Sequence, residues 1–142
     1  EGELLLLTVD GEEHPLEKYR PFRFSGEAAA HGALPTGDIR NLNVITRTDS
    51  FKGYTSIIEL SKKRAHPVFE GQLAVLLQGQ ATVSPGAAAE ADGGADDETE
   101  AAPAAEPEAL GRYDAVVGSD VRSPEILGRG FLAVVSVDRT AG

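Results

Sequence analysis

Apolar runs of four to eight residues, rich in Leu, Val, Ile and Phe and bounded by Gly, Pro, Asp and Ser, recur along this chain, and no stretch outside an Ala-rich segment keeps a helical period. Runs of that length under that punctuation are strand signals. They predict strands at 4–9, 22–24, 42–46, 55–60, 73–77, 81–83, 113–117 and 131–137. Asp10-Gly11 and Gln78-Gly79 read as hairpin turns, because Gly takes positive φ without steric cost. The expected fold class is all-β.

A faint internal repeat adds an architecture. Gly2-Glu3, an apolar run, a turn and then Leu16-Glu17-Lys18-Tyr19 is echoed by Gly79-Gln80, a short strand, a turn and Leu110-Gly111-Arg112-Tyr113. The Gly-to-Leu separation grows from 14 to 31 positions, and an acidic insert accounts for the difference. Two strand-turn-strand copies suit a pair of jelly-roll lobes that close their sheets on themselves. The expected division is a first lobe over 1–53 and a second over 54–142, the second carrying the insert at 86–109.

The insert holds 8 acidic and no basic residues, and without it 15 acidic and 13 basic residues remain of a chain whose net charge is −10. With no aromatic or branched apolar side chain to offset chain entropy, it is expected to be disordered. The remaining part is nearly neutral, which argues against binding to nucleic acid or to an anionic membrane surface. No Cys is present, as is usual in the cytoplasm, and this removes disulfides, thiolate metal sites and a cysteine nucleophile together. The longest apolar run, Leu4 to Leu7, is far too short to span a bilayer.

Two motifs carry a resemblance. One is Leu16 followed by Pro21-Phe22-Arg23-Phe24-Ser25-Gly26. The other is Gly37-Asp38-Ile39-Arg40-Asn41-Leu42-Asn43-Val44-Ile45-Thr46-Arg47. Their order and spacing resemble the HutD/Ves proteins, small two-lobed cupin-like proteins with a Leu…Pro-Phe-x-Phe-x-Gly run and then Gly-x-x-Arg-Asp-x-Asn-x-Met-Thr-Arg. Asn41 and Ile45 stand where that family more often has Asp and Met. The likeness continues more weakly through residues 71–79 and 110–115. Such proteins open with Trp-Lys-Asn-Gly-Gly-Gly and Gly-Pro-Phe-Ser runs that do not precede Glu1, so the resemblance implies a first lobe lacking its opening segment. It also implies a cupin-like double-stranded β-helix and an accessory role in bacterial histidine utilisation, with the Ves branch linked instead to stress response.

The residues themselves show no catalytic constellation. His14, His31 and His66 are isolated, with no His-x-His pair for a cupin metal, and His14 and His66 each precede a Pro, a context that favours peripheral loops. No Gly-x-Ser-x-Gly elbow and no phosphate-cradling loop occurs. Neither a metal nor another cofactor is expected. The polar residues of interest lie on the motif: Asn43 and Arg47, four apart, share one face of an extended strand, with Leu42, Val44 and Thr46 on the other. An amide and a guanidinium side by side suit a carboxylate, and Arg40 adds charge at the entrance. Asn43, Arg47 and Arg40 are therefore the expected ligand-binding residues, for a small carboxylate such as urocanate or a formylated acid. A homodimer is left open. The competing readings are a metal-independent isomerase or epimerase using His31, Tyr19 or Tyr113, and an inactive fragment.

Overall fold

The computed structural model describes residues 1–86 and 106–140, and every element in them is a strand. A three-stranded antiparallel sheet is formed by β1 (Leu4–Val9), β2 (Glu12–Glu17) and β3 (Ala30–Ala33), in the order β2-β1-β3. A six-stranded sheet follows. Its main path is β4 (Phe51–Glu59), β9 (Glu125–Arg139), β6 (Gln72–Ser84) and β7 (Glu108–Leu110), with β5 (His66–Pro67) on β9 and β8 (Ala115–Val117) on β6. All pairings are antiparallel. The fold class is thus all-β, as the strand pattern implies, and of the cupin-like kind that the family resemblance implies.

The core lies on one face of the larger sheet, where Leu60, Val68, Ala74, Leu76, Leu110, Val116, Ile126, Leu132 and Val134 pack with Ile58 and Val83 alongside. Strand β9 is also buried on its other face, at Ala133 and Val135. The register sets Ala133 opposite Ile57, Val135 opposite Thr55 and Val137 opposite Gly53, so these residues share a face. Over Gly53 lie Val44 and Thr46, close enough that a Cβ there would touch both. The chain after β3 thus folds back onto the larger sheet.

Several expectations need correction. Residues 42–46 alternate as expected but join no ladder, because they cover a sheet face and do not extend an edge. Residues 22–24 are irregular; Pro21 removes a donor, and the Phe22 ring packs on His14 at 4.5 Å and on Phe24 at 5.9 Å. Gln78-Gly79 is no hairpin. Strand β6 runs straight through it with a bulge between Leu76 and Gln78, and Gly79, at φ +102°, lies opposite Gly130. Asp10-Gly11, at φ +49° and +83°, does turn β1 into β2.

His14 and His66 sit in strands, not loops. Both strands are sheet edges, where a following Pro costs no ladder bond. The 53/54 boundary falls inside β4, which starts at Phe51. Of the 86–109 insert, residues 87–105 lie outside the described residues, and Glu108 and Ala109 belong to β7, held by Val83 and Thr82.

Candidate carboxylate-binding site

The repeat read in the sequence has a geometric counterpart. Turns 17–20 and 111–114 are each closed by a backbone bond, Arg20 N–H to Glu17 O at 3.3 Å and Asp114 N–H to Gly111 O at 3.0 Å. In both, the third residue is a tyrosine in the left-handed region, Tyr19 at φ +62° and Tyr113 at φ +70°. That position in a turn ordinarily takes Gly or Asn, and a bulky residue there costs on the order of 1–2 kcal/mol. Each tyrosine uses the conformation to reach the other sheet's unit. The Tyr19 hydroxyl donates to Gln78 Oε1 and the Tyr113 hydroxyl to Glu1 Oε2, both at 2.7 Å.

The likeness extends to the neighbours. Gln78 pairs with Phe131 in the β6–β9 ladder, while Glu1 and Arg40 exchange backbone bonds of 2.9 and 2.8 Å. Gly2 and Gly79 follow the two acceptors at φ +104° and +102°. Tyr19 packs on Phe131 at 5.0 Å with Lys18 over its ring, and Tyr113 has Arg40 at 5.4 Å and Arg112 at 4.9 Å over its ring. The two copies differ in charge. One holds Gln78, Phe131, Lys18 and Tyr19, and the other Glu1, Arg40, Arg112 and Tyr113.

In the charged copy one carboxylate accepts one hydrogen bond and meets two guanidinium groups. Beyond the Tyr113 hydroxyl, Arg40 Nε stands 3.4 Å from Glu1 Oε2, and Arg112 Nη2 stands 3.6 Å from Oε1. Arg112 is fixed from behind, because its Nε donates to the Leu77 carbonyl at 3.2 Å and Leu77 is the residue that the β6 bulge leaves unpaired. Tyr113 is held to the same strand by a 2.7 Å bond from its N–H to Leu76 O. Beside the cluster opens a depression of about 590 Å³ lined by Glu1, Gly2, Leu34, Asp38, Ile39 and Arg40.

The electrostatics follow the contacts. The Tyr113 hydroxyl, then Arg112 and more weakly Arg40, hold the Glu1 carboxyl below its ordinary value of 4.5, and the bond to Glu1 raises Tyr113 above 10. A lowered carboxyl contributes stability that is present above the unfolded value and is lost as pH falls through the folded one. The Tyr113 ring resonances should therefore follow an acid titration whose midpoint lies below 4.5. Glu1→Gln should abolish that titration; a shift that persists in the variant would assign it to another group.

Of the three residues expected from sequence, only Arg40 joins this cluster. Asn43 and Arg47 are exposed, and Ile45 between them is 90% exposed, so the face they share points to solvent while Val44 and Thr46 face the sheet. The Arg47 carbonyl accepts the N–H groups of Ser50 and Phe51, closing the turn into β4. Among the described residues no His is hydrogen-bonded to the cluster, and His14 lies against the Phe22 ring with Glu12 at 4.0 Å. Half-burial lowers His66 below 6.5. The meeting of Glu1, Arg112 and Tyr113 was not legible in the sequence, although the repeat pointed at the last two.

The family model described as HutD matches residues 1–132. Two solved structures share the fold. One is a conserved protein of unknown function from Pseudomonas aeruginosa PAO1, 19% identical, with a TM-score of 0.68 over 97% of this chain and 66% of that one. The other is HutD from Pseudomonas fluorescens SBW25, in a formate condition, 20% identical, with a TM-score of 0.65 over 99% of this chain and 65% of that one. The chain thus spans about two thirds of the length of each. No curated protein matches it.

Proposed function

The chain belongs to the HutD family, and from that premise we propose that it is a non-catalytic accessory or regulatory factor of bacterial histidine utilisation that binds a small carboxylate. The family name supports the pathway. The binding reading is carried by one observation: the Tyr113 hydroxyl, Arg40 and Arg112 converge on a carboxylate, that of Glu1. The phenol makes a charge-assisted hydrogen bond, about twice as strong as a neutral one, and the two guanidinium groups add ion pairs at 3.4 and 3.6 Å. The adjoining depression brings Leu34 and Ile39 beside Arg40, which suits a short acid with a flat or apolar body, such as urocanate or a formylated acid.

A non-catalytic role fits a phenol whose proton is held more tightly than usual, because such a group donates a hydrogen bond and does not act as a base at neutral pH. The absence of cysteine supports a cytoplasmic setting. No helix of the described residues is long and apolar enough to cross a membrane. Arg40 carries the ligand in this reading, with Asn43 and Arg47 as outer contacts on the same segment.

Calorimetric titration with formate, urocanate and formylglutamate tests it. Arg40→Ala should cost about 1.5–3 kcal/mol, roughly tenfold to a hundredfold in affinity, as loss of a charged hydrogen bond does. Arg47→Ala should cost less than about 1 kcal/mol, in line with exposed charges. Equal losses in the two variants would return the primary contact to the Asn43–Arg47 face. Absence of binding by any of the three acids would overturn the carboxylate reading.

A further inference from the structure

The two tyrosine turns allow a comparison within one molecule. At Tyr19 the acceptor is the neutral Gln78, and its bond has the same 2.7 Å length as the bond from Tyr113 to Glu1. A neutral side chain is therefore enough to anchor a tyrosine turn of this kind. At the other turn the same place holds a carboxylate, and an arginine, Arg40, stands where the first copy has Phe131. Folding does not account for that added charge.

We propose that the Glu1 side chain is the internal occupant of the carboxylate site, and that an incoming small carboxylate binds by displacing it from Arg40, Arg112 and Tyr113. The inference rests on the carboxylate reading above and adds a competitor to it. Three features suit displacement. Glu1 lines the open depression, so a ligand can approach the cluster without the sheets moving apart. Its side chain is 41% exposed, so the displaced carboxylate can turn into water without an unpaired buried charge. Its backbone stays tied to Arg40 by two bonds, so only side-chain torsions need change.

A site filled by its own side chain binds external ligand with an affinity reduced to the fraction of time it is empty. If Glu1 occupies it nine-tenths of the time, the apparent affinity falls about tenfold. This arrangement would set a threshold, with the protein responding only when the acid accumulates. An anion held more weakly than a carboxylate would fill the site only at correspondingly higher concentration.

The experiment is a titration of the protein with sodium formate at constant ionic strength, with chloride as the control anion, on the wild type, Glu1→Gln, Arg40→Ala and the double variant. Glu1→Gln keeps an acceptor for Tyr113, as Gln78 does for Tyr19, and retained hydrogen-exchange protection of the Tyr113 N–H, which donates to the Leu76 carbonyl, verifies that the turn is intact. The expected result is about tenfold tighter formate binding in Glu1→Gln, and weakening by Arg40→Ala in either background. Formate binding that is lost on Arg40→Ala but stays within twofold of wild type in Glu1→Gln would overturn the competition while leaving the carboxylate site standing. No formate binding in either the wild type or Glu1→Gln would overturn both.

Discussion

Leu132→Ala should lower the unfolding free energy by about 2–5 kcal/mol, the range for deleting a large buried aliphatic side chain where the surroundings cannot close the gap. Leu132 is fully buried at the middle of β9, with Leu76 opposite it on β6 and Ile58 opposite on β4. Its side chain therefore contacts the core from the one strand that has a long partner on each side, and a shift to fill the space would have to move two ladders at once. For a domain with roughly 5–15 kcal/mol in total, the loss is a large fraction. Urea denaturation of Leu132→Ala beside Leu127→Ala checks this. Leu127 lies on the same strand but is 36% exposed, and its truncation should cost under about 1 kcal/mol. Comparable losses at both positions would mean that β9 is packed as tightly around Leu127 as at its middle, against the exposure of Leu127.

Much of this fold was legible because strand formation here follows local composition. Leu4–Val9 emerged with its exact bounds, and the cores of β4 and β9 were found, because β-branched and Leu-rich runs bounded by turn residues have few other ways to bury themselves. The strands that were missed are those whose partners decide their conformation. The charged sequence of β2, Glu12–Glu17, carries no apolar alternation, yet it pairs along its whole length with β1. The short, exposed β3 is likewise held by β1.

The site divides along the same line. The alternation of residues 42–47 was read correctly, but which face meets the sheet depends on Gly53, a residue whose missing side chain leaves room for Val44 and Thr46. That packing turns Asn43 and Arg47 outward. The Glu1 cluster joins residues up to 112 positions apart, and no local pattern announces such a meeting. The repeat came nearest, since it singled out Arg112 and Tyr113 together with their counterparts Lys18 and Tyr19.

Gly130→Ala should be about as damaging as the loss of a core leucine, for a backbone reason. Gly130 has φ +131°, a region L side chains rarely adopt, and a Cβ there would run into the Gln78 carbonyl and come within 2.8 Å of the Gly79 Cα. Strain in such a region alone costs about 1–3 kcal/mol, and displacing the facing strand adds to it, so a total of about 3 kcal/mol or more is expected. Gly11→Ala is the control. Gly11 also has positive φ, at +83°, but open space surrounds its missing side chain, so only the left-handed penalty of about 1–2 kcal/mol applies. The two variants should also differ in what they disturb. Gly130 faces the bulged part of β6, where Gln78 anchors Tyr19 and the Leu77 carbonyl orients Arg112. Pushing β6 away from β9 there should weaken carboxylate binding at neutral pH as well as stability, whereas Gly11→Ala should leave binding unchanged. A Gly130→Ala protein that is destabilised but binds formate like wild type would separate the bulge from the site and leave Arg112 positioned by Glu1 alone.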